Sequence, residues 1–288
     1  MYAVVGATGN TGRAVVKELK GLGENPVCIV RNADKAKEVL GADTKTAVAE
    51  LDDRAGLQKA LAGAKRVFIV TGHNPKSDEQ QINVIEAAKA AGAEYIVKVS
   101  GGRDVIGPNV ESVNGQAHYK IEEHLKKSGL KWCILSPGLF MQNIMGQAAS
   151  IKSDGKMVLP FPKDLKMSFI DVRDTAAVAA RVLKEPSKHH GKILDFTGEQ
   201  TTYGDFATVM SEVLGKPVTY VGASLEAAEA GMKSRQMPDW LVGHMMAIAK
   251  VGAKGGFTEE KTGPIREIVG RAPISTKQFV QDHKAALS

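Results

Sequence analysis

The 288-residue chain has only two cysteines, Cys28 and Cys133, and each sits inside an apolar run that reads as a strand. Two buried, reduced thiols follow, which excludes a disulfide framework and a thiolate metal site. The seven histidines show no metal-ligand spacing, His189 and His190 being adjacent in a polar stretch, so no metal is expected. No apolar run approaches the length needed to span a bilayer, and the glycine-rich opening lies too close to Met1 for a signal peptide to precede it. The expectation is a cytoplasmic protein with no membrane partner. The net charge is +6 and the isoelectric point near 9.1. Yet lysines and arginines are dispersed among acidic residues and never form a basic block with interleaved aromatics, which argues against nucleic acid as a partner. With 43% hydrophobic residues the chain can bury one large core or two modest ones.

What is present begins at once. Tyr2 to Val5 reads as a strand, runs into Gly6, Gly9 and Gly12, and is followed by Ala14, Val15, Leu19 and Leu22 at helical spacing. Glycines there leave the amides of a helix N-terminus open to a phosphate, where the helix dipole favours negative charge. The spacing is GxxGxxG, one residue longer in the turn than the commonest dinucleotide fingerprint. Thr8, Asn10 and Thr11 complete the expected binding loop.

Strands near 2–6, 26–30, 45–49, 66–70, 94–99 and 131–136 alternate with helical patterns, which predicts an α/β fold with a doubly wound parallel Rossmann sheet. After Pro137 come shorter strands near 156–159, 168–170 and 192–197, longer helices and a Met-rich segment from Ser224 to Phe257. They predict a smaller α/β C-terminal lobe. Residues 1–150 are expected to form the nucleotide-binding domain and 151–288 a substrate-binding lobe, the chain partly interleaved between them. In the Met-rich segment Leu241, Met245 and Ile248 fit a buried helical stripe, while Met232, Met237, Met245 and Met246 also suit an adaptable cover over a pocket.

The residue ending the second strand faces the adenosine ribose in such folds, where a carboxylate selects NAD and an arginine accommodates a 2′-phosphate. Here it is Arg31, with Lys35 one turn into the next helix as support, so the cofactor expected is NADP(H). Strand-end position also places Glu50, Leu51 and Asp52 around the adenine, and Thr71 and Gly72 near the pyrophosphate and ribose.

These residues resemble the NmrA-like branch of atypical short-chain dehydrogenases, which includes NADP-linked quinone oxidoreductases, triphenylmethane reductase and redox-sensing regulators. The carriers are GATGNTG with Arg31 and Asn32, ELDD at 50–53, SGLKWCILSPGLFMQN from Ser128 to Asn143, DVRDTAAVAARVL from Asp171 to Leu183, and GRAPISTKQFVQDH from Gly270 to His283. The resemblance implies NADP(H) binding and, in many members, reduction of an aromatic or quinonoid substrate. The Tyr-x-x-x-Lys pair of catalytic short-chain dehydrogenases is absent, since no tyrosine has a lysine four residues on.

Two candidates lie on the helix around 114–128. Against the apolar stripe of Ala117, Ile121 and Leu125, His118 falls on one flank and Lys120 on the other, so only one can face the cofactor. The family's active-site lysine or histidine corresponds to His118, which is favoured over Lys120; Glu122, one turn on, is expected to hold its ring and raise its pKa. Ser100 ends the fifth strand and is expected either near the nicotinamide or capping its loop, with Pro137 also assigned to the cofactor. The loop Ser136–Asn143 should close one side of the substrate pocket, with Phe140 and Met141 as apolar walls and Asn143 as a hydrogen-bonding group. Many relatives carry arginine where this chain has Ser136. His73 and Asn74 would meet the substrate from the opposite side.

Two functions remain open alongside a weaker third. The first is an oxidoreductase passing hydride from NADPH to a quinone-like, aromatic or conjugated carbonyl small molecule. The second is a catalytically weak NADP(H)-sensing regulatory protein, and the third an epimerase or lyase. A homodimer is left open.

Overall fold

The computed structural model describes all 288 residues. In chain order the first half runs β1 (Tyr2–Val5), α1 (Asn10–Gly21), β2 (Val27–Val30), α2 (Ala33–Leu40), β3 (Thr46–Val48), α3 (Arg54–Ala60), β4 (Arg66–Ile69), α4 (Ser77–Ala90), β5 (Tyr95–Val99), α5 (Val113–Lys127) and β6 (Lys131–Pro137). The second half runs β7 (Leu139–Phe140), α6 (Ala148–Asp154), β8 (Lys156–Leu159), β9 (Met167–Ile170), α7 (Val172–Lys184), α8 (Pro186–His189), β10 (Lys192–Phe196), β11 (Gln200–Thr201), α9 (Tyr203–Leu214), β12 (Thr219–Gly222), α10 (Leu225–Ser234), α11 (Asp239–Ala253), α12 (Gly263–Val269), α13 (Thr276–Asp282) and α14 (Lys284–Leu287). No helix is long and apolar enough to cross a membrane.

The chain forms two compact units. One comprises Met1–Gly101, Asn114–Ser136 and Thr175–Leu194, the other Gly102–Val113, Pro137–Asp174 and Asp195–Ser288.

The principal sheet has the order β10-β6-β5-β4-β1-β2-β3, and its pairings from β3 through to β6 are parallel. Strands covered by helices on both faces need apolar side chains throughout, and every residue of β1 and β5 is buried. The expected doubly wound sheet is therefore present. One expectation needs correction: the strand near 192–197, read as part of the smaller lobe, is β10 and extends this sheet beside β6. Its short sequence KILDF suits either place, because strand pairing over such distances leaves no local signature.

Helix α1 buries Val15, Val16 and Leu19 at helical spacing. Ile96 of β5 packs with Ile121 and Leu125 of α5 in the core. Side chains alternate along a strand, so Lys98 and Ser100 follow Ile96 onto the face that meets α5.

In the second unit β9 pairs antiparallel with β11 and parallel with β7, while β8 and β12 form a separate parallel pair. Its core gathers Phe169, Phe206, Phe279, Tyr203 and Tyr220. Tyr203 and Tyr220 stack with centroids 5.3 Å apart, and the Tyr220 hydroxyl donates to the carbonyl oxygens of Phe161 and Leu159. Helix α11 buries Val242, Met246 and Ala249, one position round from the expected stripe, and Met245 is left exposed. The side of the helix that turns inward is decided by its partners, and the small residues Ala247, Ala249 and Gly252 permit the closer approach.

Candidate functional site

Four strands of the first unit end at one cavity of about 610 Å³, a size typical of cofactor sites. It lies where the chain switches from building the sheet on one side of β1 to the other, beyond the carboxyl ends of β1–β4. Its walls include Gly6, Thr8, Gly9, Asn10, Thr11 and Gly12 from the first loop, Arg31 after β2, Glu50, Leu51 and Asp52 after β3, and Thr71, Gly72, His73 and Asn74 after β4.

The three glycines serve different ends. A Cβ on Gly6 would lie 1.8 Å from the carbonyl oxygen of Val70, and one on Gly12 would lie 2.0 Å from that of Gly6. These two positions let β1, β4 and α1 pack. A Cβ on Gly9 meets only the Gly6 oxygen, at an ordinary 3.5 Å, so packing does not demand a glycine there and the space over it is open to the cavity. Gly9 caps α1 without a side-chain bond and the first turn has no acidic residue. The helix therefore presents amides and positive potential to the cavity, a fit for the pyrophosphate of a dinucleotide.

Arg31 lines the cavity and is exposed, with no ion pair to a protein carboxylate. A guanidinium in that state suits a phosphate dianion. Lys35 is exposed on α2 and is not among the cavity walls; its amide donates to the Asn32 side chain, 3.0 Å, which caps the helix.

Helix α4 ties down the loops after β3 and β4 through residues that sequence reasoning passed over. Gln80, itself a cavity wall, donates to the Asp52 carboxylate at 3.3 Å and accepts from Asn74 Nδ2 at 3.1 Å. Gln81 donates to Thr71 Oγ1 at 2.8 Å, and Asn83 to the Leu51 carbonyl at 3.2 Å. The only sequence signal was a run of amides, Gln80, Gln81 and Asn83, where a solvated helix face carries charges more often.

At the side of the cavity walled by His73, the His73 ring meets the His118 ring edge-to-face with centroids 6.2 Å apart. His73 opens to solvent on one side, yet the protein around it removes enough water to pull its pKa below the ordinary 6.5, favouring the neutral ring. His118 Nδ1 lies 2.9 Å from Nζ of Lys98, which is fully buried and also donates to the Val99 carbonyl at 3.2 Å. Glu122 accepts a 2.5 Å bond from Ser100 Oγ. The β5 face thus sets Lys98 opposite His118 and Ser100 opposite Glu122. Lys120 points elsewhere, pairing with Asp78 at 3.1 Å with its side chain 63% exposed. Lys98 had a visible signal: a lone charge inside YIVKV, otherwise an apolar strand.

Ser136 is buried and donates to the Gly101 carbonyl at 2.6 Å. Pro137 ends β6 buried and does not line the cavity. In the second unit Phe140 is half-buried and Asn143 exposed, whereas Met141 is fully buried in that unit's aromatic core. Its thioether fills space in that core, a packing position in place of the expected pocket wall.

A family model described as the NmrA-like family matches residues 2–274. The chain belongs to the NmrA-like family. It is 32% identical over 289 residues to an NAD(P)H azoreductase of Xenophilus azovorans, covering 99% of both chains. It is 31% identical over 287 residues to quinone oxidoreductase 2 of Escherichia coli (strain K12), covering 97% of each. Among solved structures, an NADPH-dependent quinone oxidoreductase from Escherichia coli complexed with NADPH superposes with a TM-score of 0.85 at 28% identity, over 98% of this chain and 99% of that one.

Proposed function

We propose that this NmrA-like protein is an NADP(H)-dependent oxidoreductase that reduces a quinone-like, aromatic or conjugated carbonyl small molecule. The observation that carries the reading is the cavity itself: the open first-turn amides of α1 from Asn10 to Gly12, an Arg31 with no ion pair at one end and the His73–His118 pair at the other. The family and the relatives named for NAD(P)H-linked azo and quinone reduction support it.

When bound, the reduced cofactor supplies a hydride from its nicotinamide ring. The protein's share is to orient and to stabilise charge. The α1 amides and Gly9 seat the pyrophosphate, Arg31 the 2′-phosphate, and the loops tied by Gln80, Gln81 and Asn83 frame the adenosine. A quinone or conjugated carbonyl is already electrophilic, so positioning supplies most of the rate and the missing Tyr-x-x-x-Lys pair is tolerable.

The test is NADPH oxidation, with NADH alongside, against a panel of quinones, azo dyes and enones. Turnover with at least one acceptor and a preference for NADPH are expected. Tight NADPH binding with no turnover on any acceptor overturns the enzyme and favours a sensor of cofactor redox state, in which NADP⁺ and NADPH bias the protein differently.

A further inference from the structure

The second turn of α4 carries an amide where its buried face calls for an apolar side chain. We propose, on the oxidoreductase reading above, that Gln81 is a positioning residue for the cofactor. Its amide engages the oxygen of the Thr71 hydroxyl and so commits the Thr71 hydrogen to an oxygen of the pyrophosphate–ribose backbone that NADPH and NADH share.

The buried face of α4 reads Ser77, Gln81, Val84, Ile85 and Ala88, and Gln81 is 1% exposed. Its Nε2 donates to Thr71 Oγ1 at 2.8 Å, whereas its Oε1 is buried with no hydrogen-bond partner. A buried polar atom left unpaired costs stability, and a methionine of similar size would fill the space without that cost. Turning the amide over, oxygen toward Thr71, would strand an NH2 group with both hydrogens in the same dry place. That arrangement is the less stable one, because a buried N–H without a partner is tolerated less than an under-used C=O.

A hydroxyl has one hydrogen to give and two lone pairs. With Gln81 on one lone pair, the Thr71 hydrogen is left for a partner outside the protein, and Thr71 is a wall of the cofactor cavity. Position along the sheet selects that partner. Thr71 follows β4, which runs parallel to β1 up to the Val5–Ile69 pair, and a Cβ on Gly6 would lie 1.8 Å from the Val70 carbonyl oxygen. Thr71 is therefore next to the loop that opens α1. Arg31 follows β2, on the other side of β1, so the 2′-phosphate and the group that Thr71 meets are different. Branching at Cβ leaves threonine few rotamers, and a bond from a buried amide holds the chosen one before a ligand arrives. Such preorganisation adds affinity by removing an ordering cost.

Calorimetric titration with NADPH and with NADH, beside thermal unfolding of the cofactor-free protein, tests this on Gln81→Met, Thr71→Val, Thr71→Ser and the Gln81→Met, Thr71→Val double variant. Gln81→Met should weaken both cofactors by about threefold to tenfold, with a melting temperature within about 2 °C of wild type or above it. Thr71→Val should weaken both at least as much, and Thr71→Ser, which keeps the hydroxyl, should retain most of the affinity. The double variant should bind no worse than Thr71→Val alone, since without the hydroxyl Gln81 has nothing to orient. In turnover, KM for NADPH should rise in Gln81→Met while kcat stays within about twofold. Affinity retained in Gln81→Met, a melting temperature lowered well beyond that range, losses that multiply in the double variant, or a loss confined to NADPH overturns the proposal. Titration needs no electron acceptor, so it judges Gln81 separately from the oxidoreductase reading, which fails by absence of turnover.

Discussion

A Cβ placed on Gly12 would stand 2.0 Å from the carbonyl oxygen of Gly6, while one placed on Gly9, three residues earlier, would meet that same oxygen at 3.5 Å. One motif thus holds a glycine that packing requires and another that packing does not. Gly12→Ala forces backbone to move and should destabilise the fold by about 1–3 kcal/mol. Gly9→Ala should unfold within a degree or two of wild type yet lose NADPH affinity tenfold or more. Thermal unfolding and calorimetric titration of both variants check this, and equal loss of stability would refute the division.

Arg31 makes no ion pair with the protein, so its removal takes away only ligand contacts. A hydrogen bond to a charged group is worth about 1.5–3 kcal/mol, and Arg31→Ala should weaken NADPH by roughly tenfold to a hundredfold while leaving NADH within about twofold. Paired titrations with the two cofactors are the measurement. A wild-type preference for NADH would sink the assignment.

Gln80 bridges Asp52 and Asn74 from one side chain. Gln80→Leu should cost about 1 kcal/mol or less in stability, because the site is partly open to water, but should loosen both loops and weaken NADPH about threefold. Urea denaturation separates the two effects from titration data. Unchanged affinity would reduce Gln80 to a surface contact.

The carboxylate of Asp174 is fully buried, bonded to Arg271 at 2.5 Å and to the Ile274 amide at 2.9 Å. Burial is the largest influence on it and raises its pKa above the ordinary 3.8, against the pull of those two partners. The folded state therefore holds a proton there more readily than the unfolded, and the charged form costs stability as pH rises from the unfolded value through the folded one. Arg271→Ala removes a partner and widens that interval. It should cost about 2–3 kcal/mol at pH 7 and visibly less near pH 4, where Asp174 takes up a proton. Urea melts at the two pH values decide, and a loss independent of pH would show that the pair acts by packing alone.

Much of this was legible in the sequence. The strand–glycine–helix opening, Arg31 and the strand-end residues at 50–52 and 71–74 all line one cavity, because a parallel sheet sends every strand's carboxyl end to the same side. The flank reading also separated Lys120, which pairs with Asp78, from His118, which meets His73. What escaped depended on partners far along the chain. The side of α11 that turns inward is fixed by its neighbours and not by its own pattern. The strand at 192–196 has no mark of the edge it joins. Lys98 was overlooked because strand periodicity tells which face a residue takes but not that an imidazole waits across it.

The bare start of α1 has a consequence for the lifetime of the molecule. With no side chain closing its first turn, that turn is completed by whatever anion the solvent offers, and a ligand at a hundred times its Kd adds about 2.7 kcal/mol to stability. The unfolded fraction then falls about a hundredfold between a depleted and a replete cofactor pool. Degradation that proceeds through the unfolded chain is slowed in the same proportion, whichever redox form of a ligand fills that turn.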